Sequence, residues 1–393
     1  MNKNDELVKL LQSMIQIPSW VSDIEAEKWT VNENNLVDFI GRWLENKTNL
    51  KLELQPLEYG RLNLVAYKGD PKIIFLAHTD TVAPPVNSVY PAFGGELHDG
   101  KVWGRGSADM KSGIAALMQA AELSPKANNY AIFFYADEEY DFLGMKALVK
   151  ECSHLRPKYL ISADGADLKM GNGCRGLIEI RFRVIGKASH ATSRKGVNAV
   201  MGVYKIMQGL EGYFEEKLHF TMGLSSLNLA YILGGKDLGN GKVKSVKLTN
   251  VGQEGNMVPD IAEAVIDIRP SSPEVTVEGI VERMNLVAKN FGATLEVINV
   301  RHNLGAWFTP REDVKEFEKI AGEVCGIKEI KFSNPQMGGY LDLQMLWQSM
   351  NKPISFVFGA GSAGTEHADN ECVEIDNLIK TRDFFVEVMK KYC

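Results

Sequence analysis

Cysteine is scarce in this sequence, and long apolar runs are absent. The 393 residues include five cysteines, an odd number without a closely spaced pair. This pattern excludes a disulfide framework and a thiolate metal site, and it is typical of reduced thiols in a cytoplasmic protein. No stretch approaches the ~20 consecutive apolar residues that a membrane span needs, so we expect no membrane partner. The polar, acidic residues 1–6 are not typical of a signal peptide.

An excess of positive charge is missing as well. The 44 Lys and Arg residues stand against 50 Asp and Glu residues, for a formal net charge of −6. Without a basic stripe or a recognisable motif, we expect no nucleic-acid partner. The sequence does have the composition of an ordinary globular protein, with 45% hydrophobic and 24% charged residues. At roughly 150 residues per domain, its length suggests two domains.

Short, nearly continuous apolar runs predict strands that are buried on both faces, as in parallel sheets. The runs lie at residues 72–77, 129–136, 159–162 and 354–358. A helical pattern at 114–123 lies between the first two, as β-α-β connections require. A capping-box pattern at 30–33 precedes a further amphipathic helix. We therefore predict an α/β core with a mostly parallel central sheet flanked by helices.

The pattern changes near residue 176, where apolar and charged residues begin to alternate along 178–184. Alternation of this kind is typical of antiparallel strands with one exposed face. Further strand-like stretches and two helical patterns follow, at 226–233, 245–251, 262–268 and 294–300, and at 197–210 and 277–291. We predict an α+β domain at 174–302, an antiparallel sheet with two helices, inserted into a discontinuous core domain at 1–173 and 303–393.

Acidic residues and histidines stand where the predicted core strands end. His78 and Asp80 follow the first run, Glu138 and Glu139 follow the second, and Asp164 follows the third. Because the carboxyl ends of parallel strands form the ligand crevice of an open sheet, we expect these side chains to converge. Imidazole and carboxylate donors without thiolates suit zinc, and they also accept cobalt or manganese.

Two glycine-rich segments carry the same kinds of residue. Asp109 lies in segment 104–113 before a helical pattern, and His367 ends segment 359–367. Taken singly, such an aspartate caps a helix, and a histidine in a loop is more often structural. A phosphate-binding loop is a further possibility for 359–367, although no lysine follows with P-loop spacing. Taken together, so many carboxylates would repel one another without cations, which favours a metal site.

The combined motifs resemble a known family of di-zinc hydrolases. They comprise, in chain order, His78-Thr79-Asp80, Asp109-Met110-Lys111-Ser112-Gly113, Glu138-Glu139, Asp164, Gly186-Lys187-Ala188-Ser189-His190, Asn256-Met257-Val258-Pro259, Asp267-Ile268-Arg269 and His367. From residues 16–19 to 374–375, the chain is similar to the family of acetylornithine deacetylase, succinyl-diaminopimelate desuccinylase and glutamate carboxypeptidase. The combined pattern is highly specific, although no single motif is.

This resemblance implies a site of two zinc ions per subunit. It implies that His78 and Asp164 bind one ion, that Glu139 and His367 bind the other, and that Asp109 bridges the two. A carboxylate can serve as the bridge because it has one oxygen for each ion. The resemblance also implies a cis peptide bond after Asp109.

Two acidic residues receive catalytic roles from the resemblance. Asp80 is expected to accept the second N–H group of the His78 imidazole and so fix its tautomer. Glu138 is expected to act as the general base, taking a proton from a water held by the ions and passing it to the leaving amine.

The resemblance also assigns the inserted domain the roles of lid and dimerisation surface, so we expect a homodimer. His190 is expected to reach the active site of the partner subunit and stabilise the oxyanion there. Without the motif around it, His190 would be an ordinary loop histidine. Contacts with a small-molecule substrate are expected from Arg175, Asn256, Arg269 and Gly339, the arginines through bidentate binding of a carboxylate.

Two departures from the family pattern bear on the substrate. Asp164 stands where the deacetylase and desuccinylase branches are expected to carry Glu and the aminopeptidase and dipeptidase branches Asp. Tyr340 stands where the desuccinylase has Thr. The leading hypothesis is a zinc-dependent hydrolase of small N-acyl amino acids, and the second is a dipeptidase or exopeptidase. A metal-free relative that binds a small molecule without catalysis is disfavoured, because every ligand position and Glu138 are present.

Overall fold

A computed structural model describes residues 2–20, 33–237, 251–252, 255–336 and 340–393. Gly339 lies outside these residues, as do most of the predicted capping box and most of the predicted strand at 245–251. The chain forms two compact units. The core unit comprises Met1–Asn172, Thr309–Asn334 and Met345–Cys393, and the inserted unit comprises Gly173–Phe308 and Pro335–Gln344. That the inserted unit is a lid or a dimerisation surface stays a prediction.

Helices and strands alternate through much of the core unit, whereas strands dominate the inserted unit. The described helices are α1 (Lys3–Ile15), α2 (Glu33–Lys47), α3 (Lys111–Leu123), α4 (Leu143–Cys152), α5 (Ala199–Glu216), α6 (Val277–Phe291), α7 (Arg311–Cys325), α8 (Leu343–Ser349) and α9 (Ile375–Tyr392). The described strands are β1 (Lys51–Pro56), β2 (Leu62–Lys68), β3 (Ile73–His78), β4 (Glu96–His98), β5 (Lys101–Trp103), β6 (Tyr130–Tyr135), β7 (Tyr159–Ser162), β8 (Met170–Gly171), β9 (Gly173–Cys174), β10 (Leu177–Ile185), β11 (Ser226–Asp237), β12 (Val251–Gly252), β13 (Ile261–Arg269), β14 (Thr294–Leu304), β15 (Trp307–Phe308), β16 (Ile354–Phe358) and β17 (Cys372–Glu374).

The central sheet of the core unit has the strand order β1-β2-β6-β3-β7-β16-β8. The four inner strands β6, β3, β7 and β16 run parallel to one another, and antiparallel strands extend the sheet at both edges. Every residue of β3 and β6 is buried, which explains why both strands are continuous apolar runs in the sequence. The prediction of an α/β core with a mostly parallel central sheet is confirmed.

Helices α3 and α9 of the core unit pack against each other beside this sheet. Residues 111–121 of α3 are all buried, which accounts for its run of small and apolar residues without a polar face. On α9, Phe385 meets Phe75 of β3 edge to face, with ring centroids 5.7 Å apart. Phe384 packs against Phe358 of β16 at 4.3 Å. Burying one such side chain contributes about 1.5–3 kcal/mol to stability.

The register of the parallel strands determines where their loops emerge. Ile73 pairs with Tyr130 at one end of the β3–β6 ladder, and His78 pairs with Tyr135 at the other. On the other side of β3, Leu76 pairs with Ser162, the last residue of β7. The three loops that follow β3, β6 and β7 therefore leave the same edge of the sheet.

The inserted unit is an antiparallel sheet in the order β12-β11-β13-β10-β14, with α5 and α6 packed on one face. Along β10, Ile178, Ile180, Phe182 and Val184 are buried in this core, and the charged residues between them are partly exposed. The sheet and its two helices match the predicted α+β arrangement. Thr276 caps α6 by accepting a hydrogen bond from the N–H of Gly279 at 3.2 Å.

One carboxylate is fully buried on the charged face of this sheet. Glu263 of β13 lies beside two arginines of the neighbouring strand β10. Arg183 Nη2 donates to its Oε2 at 3.0 Å, and Arg181 Nη1 lies 3.6 Å from its Oε1. Burial of this charge is compatible with folding because both cations face it.

No helix in the described part of the chain is long and apolar enough to cross a membrane. The peptide bond between Asp109 and Met110 is cis, as the resemblance implies.

Candidate metal centre

The predicted metal ligands all belong to the core unit and lie at a strand end or in loops. His78 is the last residue of β3, and Glu139 and Asp164 lie in the loops after β6 and β7. Asp109 stands two residues before α3, and His367 lies in the connection from β16 to β17. Loops that leave the carboxyl edge of a parallel sheet can bring such side chains together, because the strands fix where each loop begins.

The structure brings these five residues into two groups that share one carboxylate. Donor atoms of His78, Asp109 and Asp164 lie within 4.8 Å of one another, as do those of Asp109, Glu139 and His367. The two oxygens of Asp109 face different histidines. Oδ1 lies 2.9 Å from Nε2 of His78, and Oδ2 lies 3.2 Å from Nε2 of His367. The Nε2 atom of His367 is also 3.1 Å from Oε1 of Glu139.

These distances fit the ligand shells of two metal ions. Around a tetrahedral ion with bonds of about 2.0–2.1 Å, neighbouring ligand atoms lie roughly 3.3 Å apart. The three measured separations, 2.9, 3.1 and 3.2 Å, are close to that spacing. The donors are two imidazoles and three carboxylates, a set that suits zinc, cobalt or manganese. The residues therefore fit a pair of divalent cations bridged by Asp109.

The charges of the cluster are strongly coupled. Burial lowers the pKa of His78, but the carboxylates of Asp109 and Asp80 outweigh burial and hold it well above its usual value. Asp109 and Glu139 raise the pKa of His367 to about 10. Burial raises the pKa of Asp109, and the two histidines more than reverse this and hold it far below its usual range. Such acid–imidazole pairs attract cations, and an ion that binds must displace their protons.

Asp80 connects two of the loops at the centre. Its main-chain oxygen lies 3.0 Å from Nδ1 of His78, so the ring donates there and keeps Nε2 free to act as a ligand. Its carboxylate Oδ1 is 3.6 Å from the same nitrogen. The two carboxylate oxygens accept hydrogen bonds from the main-chain N–H groups of Glu138 and Glu139, each at 3.1 Å. Asp80 therefore orients the histidine and also holds the loop that carries both glutamates.

Buried Arg61 also holds this loop, and the sequence does not single it out. Arg61 directly precedes β2, is 1% exposed, and donates to Asp137 Oδ1 at 2.5 Å and to Glu33 Oε2 at 2.9 Å. Asp137 directly precedes Glu138, has a positive φ of 69°, and accepts the N–H of Leu143 at 3.0 Å. A lone arginine carries no motif, so only its spatial neighbours identify its role.

The remaining predicted site residues belong to the inserted unit. His190 is exposed, and its Nδ1 lies 2.9 Å from Oγ1 of Thr192. Asn256 is its close neighbour, because His190 forms a β-bridge with Met257. The guanidinium of Arg269 is paired with Asp267 at 2.9 Å.

Arg175, also of the inserted unit, is half-buried directly after β9. Its Nε has no hydrogen-bond partner among the described residues. Its main-chain oxygen accepts a hydrogen bond from Nε2 of Gln344 at 3.3 Å. The substrate-binding roles of Arg175, Asn256 and Arg269 stay predictions, as does that of Gly339.

The arrangement has the features of a metal-dependent hydrolase, and comparison with known proteins supports this class. The sequence profile of peptidase family M20/M25/M40 matches residues 74–391. The acetylornithine deacetylase of Pasteurella multocida is 24% identical over the full length of both chains. Acetylornithine deacetylase of Vibrio vulnificus is 25% identical over 93% of each chain.

Solved structures share the fold. An M20 family metallo-carboxypeptidase from Sulfolobus solfataricus superposes with a TM-score of 0.69 at 17% identity, over 100% of this chain and 99% of its own. The YXEP protein of Bacillus subtilis, a dinuclear metal-binding peptidase of family M20, gives 0.63 at 14% identity, over 98% and 97%. The chain belongs to peptidase family M20/M25/M40 and is a metal-dependent hydrolase.

Proposed function

We propose that this protein hydrolyses the amide bond of small N-acyl amino acids at a centre of two zinc ions, for which cobalt or manganese can substitute. The observation that carries the proposal is the pair of donor groups joined by Asp109, with one of its oxygens toward each histidine. Two curated relatives of nearly the same length, both acetylornithine deacetylases, support the substrate class. We place the reaction in the cytoplasm because of the five unpaired cysteines.

In this proposal the ligands divide as the two groups suggest. His78 and Asp164 would hold one ion, Glu139 and His367 would hold the other, and Asp109 would hold both. The bound ions would supply an acidified water and a polarised scissile carbonyl. The protein residues would fix the positions of these partners, because His78 ends β3 and the loops of Glu139 and Asp164 leave the same edge of that sheet.

Glu138 would act as the general base. It would accept the proton of the attacking water on its carboxylate and then donate that proton to the nitrogen of the leaving amine. The hydrogen bonds from the main-chain N–H groups of Glu138 and Glu139 to the carboxylate of Asp80 support this proposal, because they hold the loop that carries both glutamates. In this proposal Glu138 would act on the water and would not be a ligand of the ions.

The inserted domain, which we place at 174–302 between core segments 1–173 and 303–393, would bind the substrate and form a homodimer. Arg175 and Arg269 would hold a substrate carboxylate, a role that suits the planar guanidinium. Asn256 and Gly339 would contact the substrate. His190 of the partner subunit would stabilise the oxyanion, and the exposure of His190 in a single chain supports this.

A dipeptidase or exopeptidase activity is the second candidate. It needs the same ligands and the same base, and it is favoured by Asp164, the shorter of the two acids expected at that position. Binding without catalysis is disfavoured, because an inactive relative would have no need to keep five converging ligands beside Glu138.

The test is hydrolysis of a panel of N-acetyl and N-succinyl amino acids and of dipeptides by zinc-loaded protein. A chelator-treated sample serves as the control. Chelator-sensitive release of amino acids from the acylated compounds is the expected result, and cleavage of dipeptides alone would favour the second candidate. If the protein bound no metal and cleaved nothing, the proposal would be wrong.

A further inference from the structure

Glu371 lies outside the proposed ligand set, yet its carboxylate accepts four hydrogen bonds from the segment that ends at Asp109. The residue is 3% exposed and stands four positions after His367, just before β17. Its Oε2 accepts from Arg105 Nη1 at 2.6 Å and from the N–H of Gly106 at 3.0 Å. Its Oε1 accepts from the N–H of Ala108 at 2.9 Å and from that of Asp109 at 3.0 Å.

Three of these four donors are main-chain groups of the segment that ends at the bridging ligand. The segment 105–109 is neither helix nor strand, so its N–H groups depend on partners elsewhere. Gly106 has a φ of +82°, and a Cβ there would lie 2.9 Å from Cγ2 of Thr81 and 3.0 Å from the side chain of Lys111. Glycine is therefore required where the chain turns around the carboxylate.

Arg105 extends the same contact to the loop that carries His367. Its Nη2 donates to the main-chain oxygen of Ala368 at 3.3 Å, and its Nε donates to that of Ala83 at 3.2 Å. One buried pair, Glu371 and Arg105, thus joins the segment before Asp109 to the segment after His367. The ligands at the two ends of this connection are the ones whose atoms lie 3.2 Å apart.

We propose that Glu371 is a positioning residue of the metal centre, which holds the main chain of 105–109 so that each oxygen of Asp109 faces a different ion. The proposal rests on the proposed two-metal function. It assigns Glu371 no contact with metal or substrate, and its effect passes through Asp109. Partners of metal ligands commonly change metal affinity or activity by about 10–100-fold when they are replaced.

Replacing Glu371 with glutamine distinguishes the positioning role from simple ion pairing. A glutamine has one acceptor oxygen and one NH₂ group, so whichever way it turns, its NH₂ faces two donors. Glu371→Gln therefore keeps the size of the side chain but can accept from only one of the two donor pairs, either Arg105 and Gly106 or Ala108 and Asp109. Glu263→Gln is the matched control, because Glu263 is equally buried and paired with arginines but belongs to the sheet of the inserted unit.

The experiment measures zinc affinity by competition with a chromophoric chelator, the visible spectrum of the cobalt-substituted protein, and kcat and KM. We expect Glu371→Gln to bind zinc about 10–100-fold more weakly and to lose kcat by a similar factor with little change in KM. Its cobalt spectrum should change, because the bridging oxygens move. Glu263→Gln should match the wild type in zinc affinity and in cobalt spectrum.

If Glu371→Gln folded and kept wild-type zinc affinity and cobalt spectrum, the positioning role would be wrong while the proposed function stood. If the wild-type protein took up no metal, both would be wrong. Should Glu371→Gln fail to fold, Glu371→Asp and Arg105→Lys replace it, since both keep the charge and lose part of the hydrogen-bond geometry. Zinc affinity weaker than wild type in both would support the role, and unchanged affinity in both would overturn it.

Discussion

The two units place their charges in different ways. In the core unit the inner strands are buried on both faces, so charged residues follow the strands and collect where the loops emerge. In the inserted unit charged residues lie within the strands, where they alternate with apolar residues along β10. A polar residue at the end of a buried strand is therefore informative about function, whereas a polar residue on a half-exposed strand is not.

The same difference applies to the predicted residues. His78, Glu139 and Asp164 stand out because each lies at the end of a strand that is buried along its whole length, or in the loop that follows such a strand. Arg269 is the last residue of β13, in which acidic residues already alternate with apolar ones, and it is paired with Asp267. The metal centre could thus be inferred from the position of its residues, whereas the substrate-binding residues were inferred only from resemblance.

The largest expected effect is loss of catalytic activity when site residues of the core unit are replaced. Glu138→Ala should lower kcat by about 10²–10⁴-fold, because a general base is removed, while the metal content stays at the wild-type level. His78→Ala should lose both activity and metal, because a ligand is removed. Metal analysis beside a kinetic assay checks this. A Glu138→Ala variant that kept most of its rate would contradict the assignment of the base.

The next largest expected effect is a loss of stability when Arg61 is replaced. Arg61→Met leaves the carboxylates of Glu33 and Asp137 buried without their partner, and breaking such a buried pair typically costs about 3–5 kcal/mol of unfolding free energy. Urea unfolding of the two proteins measures the difference. Arg42→Met, which removes an exposed pair with Asp38, is the control and should change stability by at most about 1 kcal/mol.

Replacement of His190 tests the difference between the two units, because His190 lies in the inserted unit and yet is expected to act in catalysis. His190→Ala should lower kcat by about 10²–10³-fold at unchanged metal content, since an oxyanion donor is lost. Co-expression with Glu138→Ala tests the action across a dimer. Mixed dimers should recover activity, because one of their active sites has an intact Glu138 and an intact His190 from the partner subunit. A fully active monomer in sedimentation would rule out this role.

The smallest expected effect is confined to the inserted unit. Thr276→Ala removes the cap of α6, and the loss of such a cap typically costs about 1 kcal/mol. Zinc affinity should not change, because every proposed ligand belongs to the core unit. Thermal unfolding and a zinc titration measure the two quantities. A change in zinc affinity would mean that the two units are energetically coupled.

Much of the fold could be predicted because hydrophobic periodicity reports burial directly. Continuous apolar runs predicted the inner strands β3, β6, β7 and β16, and alternation predicted β10. The short antiparallel edge strands, such as β8 with two residues, gave no pattern long enough to recognise. Their pairing depends on neighbours that are distant in sequence.

Residue types and their order along the chain already indicated a metal site, since so many carboxylates would repel one another without cations, and the combined motifs indicated the family. The tertiary structure alone decided how those residues are held. The contacts of Glu371 with segment 105–109 and of Arg61 with Asp137 join positions far apart in the sequence. Such contacts leave no local pattern, because a buried charge needs only one partner in space and that partner can come from anywhere in the chain.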